Sequence, residues 1–438
     1  MRRGQRVRIH LINDLPEATI IHWHGLHLPE EMDAHPRYAI APGETYTYDF
    51  TVSNRAGTYW YHPHTHMHTA TQVYQGLAGL FIVSDDEEDA LGLPSGAYDL
   101  PLVIQDRVFD EDNLLVYDEG SMMQRMNLQM MGFLGDRILV NGQPFPWVVE
   151  TRAYRLRLLN GSNSRIYKLA WDDGTPLTVI ATDGGLLEAP VQRDYVMLAP
   201  GERIDLWADF SGRELHSELR LMSLAFSGVE MGGMMMNMSS ASSLEHGAEF
   251  PLLLFNIGQE SSERLTLPER LSTIEHYTLA DAVNADAPRP FEIAMQSNMS
   301  WTINGRSFEI DSAAADETVQ LDTLEVWEFI NVVNSSGGMA GMNMGGSETA
   351  DMMAHPIHVH NVQFQIVERT IDENFRAGWD TVSAGYVDDG WKDTVLLMPG
   401  EHIKVLLRFA DFTGLFVFHC HNLEHEDAGL MRNFQVVE

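Results

Sequence analysis

Residues 398–421 read MPGEHIKVLLRFADFTGLFVFHCH. A proline-glycine turn opens the stretch. Ile403, Val405, Leu407 and Phe409 then alternate with His402, Lys404 and Arg408. A second turn at Gly414 leads into an apolar run that ends His419-Cys420-His421. Period-two alternation is the mark of a strand with one buried face, and two such runs joined by a short glycine turn read as an antiparallel pair. The opening phrase occurs three times, as Ala41-Pro42-Gly43-Glu44, Ala199-Pro200-Gly201-Glu202 and Met398-Pro399-Gly400-Glu401. A strand follows each one (YTYDFTV, RIDLWADF, IKVLLRF), then a second strand (GTYWYHPH, a region around LRLMSLAF, GLFVFHCH). Upstream of each lies a strand ending in asparagine, at Asn13, Asn160 and Asn331. Asn141-Gly142 and Asn304-Gly305 open the second and third copies.

A strand-rich unit repeated roughly every 150 to 200 residues predicts an all-β chain of three consecutive Greek-key β-sandwich domains. Helix signals are sparse, and Gly, Asn and Asp turns are frequent. The repeat puts the boundaries at 1–96, 97–262 and 263–438. Arg2 to Asn13 reads as a strand already under way with no signal peptide before it, which suggests that an upstream segment has been removed.

Composition narrows the function classes. The 438 residues are 44 % hydrophobic and 21 % charged, ordinary for a folded chain. No apolar run reaches the length of a membrane helix, so no membrane insertion is expected. The formal net charge of −35 repels nucleic acid and anionic membranes and attracts cations. The acidic runs at 84–89 and 110–112 read as solvated loops. One cysteine allows no intrachain disulfide, so packing and metal remain as the means of holding the fold.

The 19 histidines carry the strongest signal. Chance placement would give about one His-x-His triplet, by the kind of count that tests a period. The chain has six, at 22/24, 62/64, 64/66, 66/68, 358/360 and 419/421. They lie in the first and third copies; the second has none and reads as a spacer. Residues i and i+2 of a strand share a face. Eight imidazoles therefore converge if the outer domains face each other: His22, His24, His62, His64, His358, His360, His419 and His421. Imidazole suits copper, zinc, iron and nickel, and no carboxylate cluster accompanies these rings to favour calcium or magnesium. Cys420, between His419 and His421, points to the opposite face of its strand. His425 lies on the cysteine side and His355 offers a third ligand. A His₂Cys set is the pattern of a blue-copper electron-transfer site, so one strand would serve two metal sites.

Four stretches, HWHGLH (22–27), WYHPHTH (60–66), HPIHVHN (355–361) and HCHNLEHEDAGLM (419–431), resemble the copper motifs of the multicopper oxidases, in family order. The resemblance is closest to laccase-like and cuprous-oxidase-like enzymes with three cupredoxin domains, and the repeat extends it over nearly the whole chain. It implies four coppers per chain. His355, Cys420 and His425 would hold the type 1 ion; His22 and His358 the type 2; His24, His62, His64, His360, His419 and His421 the type 3 pair. Cys420 would also pass electrons inward. Glu426 and Asp33 match the acids to which the family assigns proton delivery. Leu430 stands at the axial position, where bacterial cuprous oxidases usually carry methionine, and Met431 should face away. His66 and His68 are left over, for the loop or for solvent.

The implied reaction is one-electron oxidation of phenols or aromatic amines at the type 1 copper, coupled to reduction of O2 to water. Methionine stretches at 122–131, 231–238 and 339–353 point instead to Cu(I) as reductant, since thioethers select Cu(I). The first also reads as an amphipathic helix packed by its methionines. A copper-storage or electron-transfer protein would need only the type 1 set, and a two-domain nitrite reductase would lack the third repeat. The family's bacterial members are often exported, which implies a periplasmic or secreted protein.

Overall fold

The repeated Pro-Gly-Glu phrase is a corner with its own hydrogen-bond set. The computed structural model describes residues 1–117, 120, 122–143, 147–229, 244–296, 300–333 and 353–438. Within it Gly43, Gly201 and Gly400 have φ of 83°, 85° and 68°, a region where a Cβ is penalised. Each glycine N–H donates to the carbonyl of the upstream asparagine: Gly43 to Asn13 (2.7 Å), Gly201 to Asn160 (3.0 Å) and Gly400 to Asn331 (3.2 Å). Each glutamate carboxylate turns back to accept the N–H before the proline, from Ala41, Ala199 and Met398 at 2.7–2.8 Å. The three asparagine side chains are buried, and each amide donates to two backbone carbonyls. Buried polar groups must be paired, so one phrase specifies one corner three times. Asn141-Gly142 and Asn304-Gly305 have positive φ at both residues and form the two-residue hairpin turns expected of Asn-Gly.

These corners organise three cupredoxin-like β-sandwiches. In the first, Arg6–Ile12 pairs with Thr45–Thr51, and a three-stranded sheet runs in the order Ile21–His24, Gly57–Pro63, Gly79–Val83. Trp23, Tyr48, Phe50, Tyr59 and Phe81 fill the space between. Strands from Asp99–Arg107 to Phe250–Gln259 make a five-stranded and a six-stranded sheet around Leu156, Leu158, Tyr167, Leu206 and Phe255. Strands from Arg289–Met295 to Met431–Val437 make two five-stranded sheets around Phe291, Trp327, Phe418 and Phe434. In both later units the first strand runs parallel to the strand that ends in the repeat asparagine, Asp99–Arg107 beside Ala153–Asn160 and Arg289–Met295 beside Thr323–Asn331.

The units are packed tightly against each other. Ile166, Met197 and Phe226 of the second meet Val382, Leu396 and Met398 of the third in one apolar cluster. Asp427 of the third accepts the N–H groups of Thr69 and Ala70, at 3.0 and 2.9 Å, where helix Thr69–Tyr74 of the first begins. The methionine stretch 122–131 is a helix, as expected; among its described side chains Met122 is exposed, Met126 and Met130 are half-buried, and Met131 is half-buried against the core of the third unit. Of the other two methionine-rich stretches, 231–238 and 339–353, all but Met353 lies outside the described residues.

Candidate metal centre

Two strand pairs position the histidines. Ile21–His24 runs antiparallel to Gly57–Pro63 with His22 opposite His62. His355–Val359 runs antiparallel to Gly414–Cys420 with His358 opposite His419 and Ile357 opposite Cys420. Alternation along each strand then sends the paired imidazoles to one side. The first and third units face each other, and the eight rings, none more than 1 % exposed, form one cluster. His22 stacks on His360 and His24 on His358, each with ring centroids 3.7 Å apart.

The hydrogen bonds around the rings decide which nitrogens point inward. A neutral imidazole has one N–H, so a ring donating through Nδ1 presents a bare lone pair at Nε2. His22 donates from Nδ1 to the Asp33 carbonyl and His358 from Nδ1 to the Asp393 carbonyl, both at 2.8 Å. Their Nε2 atoms then face each other at 3.4 Å. His419 Nδ1 lies 3.1 Å from its acceptor, the Cys420 carbonyl, while its Nε2 is 3.2 Å from Nε2 of both His64 and His360. Lone pairs at such distances repel unless a cation lies between them. Nδ1 of His64 and both nitrogens of His421 have no hydrogen-bond partner among the described residues. Burial holds His22, His24, His64, His358, His360 and His421 well below the usual imidazole range, and His62 down to about 4. Neutral, inward-facing imidazoles are the form that binds metal. Three all-imidazole sets of donor atoms lie within 4.8 Å of one another here: His22, His358 and His360; His22, His24 and His62; His64, His360 and His419.

The other face of the Gly414–Cys420 strand holds a second donor set. Cys420 Sγ lies 3.4 Å from His355 Nδ1 and 3.7 Å from His425 Nδ1. Burial pushes the thiol up and holds His425 down at about 3. A thiolate in this apolar surround needs a cation, so metal uptake would release the thiol proton. The Asn422 N–H donates to the sulfur at 3.4 Å. His425 is oriented by donating Nε2–H to the Met130 carbonyl at 3.2 Å. The Trp301 ring packs against both His355 and His425. Leu430 is fully buried in the same core as Cys420, and its carbonyl accepts the Cys420 N–H at 3.0 Å. Met431 sits across the strand pair from His419. Both donor sets match the chemistry of copper, imidazole alone in one and imidazole with thiolate in the other.

Glu426 and Asp33 both touch the cluster. Glu426 Oε2 is 3.1 Å from His419 Nδ1 and Oε1 is 3.7 Å from His64 Nε2; the neighbouring histidines hold it down at about 2 despite its burial. Asp33 accepts from His360 Nδ1 at 2.8 Å, and burial pushes its carboxyl well above the usual range. His66 is half-buried against Phe308, and His68 is exposed just before helix Thr69–Tyr74. Sequence reasoning missed Asp393, Thr394, Arg203 and Trp301. Asp393 Oδ1 and Thr394 Oγ1 both lie 3.1 Å from His24 Nε2. Their only sequence signal is a place just before the third Pro-Gly-Glu corner.

Comparison with known proteins agrees with this geometry. Two family profiles, each described as multicopper oxidase, match residues 1–88 and 282–438. A Staphylococcus haemolyticus multicopper oxidase mco is 32 % identical over 440 residues, covering 100 % of this chain and 80 % of its own length. A Bacillus stratosphericus laccase is 31 % identical, over 97 % of this chain and 82 % of its own. The crystal structure of McoA multicopper oxidase from the hyperthermophile Aquifex aeolicus superposes with a TM-score of 0.82 at 33 % identity, over 100 % of this chain and 88 % of that one.

Proposed function

The chain belongs to the multicopper oxidase family, and from that premise we propose that it is a laccase-like enzyme. It oxidises phenols and aromatic amines one electron at a time and reduces O2 to water, with four coppers per chain. His355, Cys420 and His425 hold the type 1 ion, His22 and His358 the type 2, and His24, His62, His64, His360, His419 and His421 the type 3 pair. Bound copper supplies one-electron redox chemistry at the thiolate site and oxygen reduction at the histidine cluster. The protein supplies the rest. Cys420 is bonded through the backbone to His419 and His421, a short covalent route between the two donor sets. Leu430 offers no thioether to the type 1 ion. Burial favours the neutral form of His22, His24, His62, His64, His358, His360 and His421. Glu426 and Asp33, in contact with cluster imidazoles, are the groups placed to hold and move protons.

The observation that carries this reading is one strand with Cys420 among two histidines on one face and histidines facing across a domain boundary on the other. Copper content, visible spectrum and oxygen uptake of a single purified sample test it. Four coppers per chain, intense blue colour and water as product are expected; a blue protein with one copper and no oxygen uptake would make it an electron carrier.

A second reading, oxidation of Cu(I), is favoured by helix Met122–Met131. Its last-turn carbonyls accept from Trp301 (at Gln129, 2.8 Å) and from His425 (at Met130, 3.2 Å), which seats a methionine-rich element on the thiolate site. Deleting residues 337–352 separates the two: loss of cuprous oxidation with phenol oxidation kept supports a copper-docking role for that stretch, and no change in either dismisses it. By analogy with exported bacterial relatives, the protein is assigned to the periplasm or the exterior; among the described residues no helix is long and apolar enough to cross a membrane.

A further inference from the structure

The second sandwich contributes no histidine to the cluster, yet its Pro-Gly-Glu corner lies directly behind it. The residue after that corner is Arg203; the matching positions in the other copies are Thr45 and His402. Arg203 is fully buried, and all five of its side-chain N–H donors are engaged. Nε donates to the Thr58 carbonyl at 3.0 Å, on the strand of the first unit that carries His62. Nη1 reaches the Gly201 carbonyl at 2.9 Å and Nη2 the Asp183 carbonyl at 3.1 Å, both in the second unit. The remaining two donors form a bidentate pair with the Asp393 carboxylate of the third unit, at 2.7 and 2.5 Å. One guanidinium thus bonds to all three sandwiches.

Asp393 is the link to the cluster. Its Oδ1 accepts from His24 Nε2 at 3.1 Å, which leaves Nδ1 of His24 facing His62 Nε2 at 3.4 Å. Its backbone carbonyl accepts from His358 Nδ1, which leaves the opposite nitrogen of that ring facing inward. Thr394 Oγ1, itself 2.9 Å from Asp393 Oδ1, completes the contact to His24. Asp393 lies close enough to His24 and His358 to complete a donor set with them, but both its oxygens are already bound by Arg203, so it orients the imidazoles. Gly25 gives a second, independent observation. A Cβ there would sit 2.5 Å from Asp393 Oδ2 and 2.7 Å from Arg203 Nη2, at a φ of +85°. The glycine of HWHGLH is therefore required by this ion pair. Gly201 is constrained by the cluster instead: a Cβ there would be 2.9 Å from the His421 ring.

We propose that Arg203 is a positioning residue for the histidine cluster, acting through Asp393 to set which nitrogens of His24 and His358 face the metals. The inference rests on the reading of that cluster as a copper site. A planar five-donor fork satisfies these acceptors and an ammonium does not, and outer partners of metal-bound histidines change metal affinity by about 10- to 100-fold when removed. The test compares wild-type, Arg203→Lys and Asp393→Asn full-length proteins loaded with copper. The readouts are copper retained against a chelator, the EPR spectrum of the histidine-bound copper, and the blue absorption of the thiolate site. Expected is blue absorption as in wild type, with cluster copper lost at about 10- to 100-fold lower chelator concentration and an altered EPR spectrum. Wild-type retention and an unchanged spectrum in both variants would overturn the proposal. So would equal loss of blue absorption and cluster copper in the milder Asp393→Asn, which would make the pair a general domain fastener. A wild-type protein that takes up no copper into the cluster would instead defeat the functional reading.

Discussion

Leu430 and Met431 show how much depends on a single position. Leu430 is buried in the core that contains Cys420, and Met431 lies opposite His419 in the neighbouring strand. An aliphatic side chain offers the type 1 copper no axial ligand, and the axial ligand tunes the potential. Leu430→Met is expected to lower the type 1 potential in a redox titration, with the blue colour kept. The two acids are a contrasting pair. Glu426 is held ionised by imidazoles, whereas Asp33 is pushed toward its protonated form by burial. Oxygen reduction consumes protons, so Glu426→Gln and Asp33→Asn should each slow turnover at saturating reductant by about 10²- to 10⁴-fold, the usual worth of a positioned acid or base. Steady-state oxygen uptake checks this; near-wild-type rates would remove either residue from the mechanism.

Strand alternation is what allows one element to serve two sites. Along Gly414–Cys420 the imidazole of His419 and the thiol of Cys420 leave on opposite faces, and the register against His355–Val359 places His358 beside His419. A one-residue slip would exchange the faces. Inserting one alanine between Phe416 and Val417 is therefore expected to abolish blue absorption and cluster copper together, read by visible spectroscopy and metal analysis. Loss of the blue colour alone would mean that the two sites do not depend on one alternation. The motif strands were legible in the sequence because period two needs only neighbouring residues, and the asparagine corners because an asparagine and a Pro-Gly-Glu phrase recur together three times, although the bonds between them join distant residues. Helix Met122–Met131 was legible as a helix but not in its placement, because its contacts with Trp301 and His425 join residues far apart in the chain.

At the scale of the whole molecule, net charge and inter-unit packing oppose each other. A formal charge of −35 spread over one chain repels itself, while the unit boundaries are tied by buried apolar clusters and by pairs such as Arg203 with Asp393. Salt screens the exposed charges within about 10 Å at 0.1 M and leaves buried pairs nearly untouched. The melting temperature should therefore rise as sodium chloride is added from low ionic strength, in thermal denaturation followed by circular dichroism. A fall would mean that surface ion pairs such as Arg6 and Arg8 with Asp49 outweigh the repulsion.

The sequence by itself determined the class of chemistry and its ligand types. His-x-His spacing and a lone cysteine between histidines are statements about neighbouring residues, which obey backbone geometry whatever surrounds them, and the corner announced itself by repetition. Only the tertiary structure decided which nitrogens face one another, because that depends on carbonyls and carboxylates brought from other segments: Asp33 to His22 within the first sandwich and to His360 across the boundary, Asp393 to His358 within the third and to His24 across the boundary. It also gave the middle unit, which supplies no histidine to the cluster, a place beside it, through an arginine whose five donors find acceptors in all three sandwiches. A buried charge is tolerated only where its partners converge, and that convergence is a property of the assembled fold.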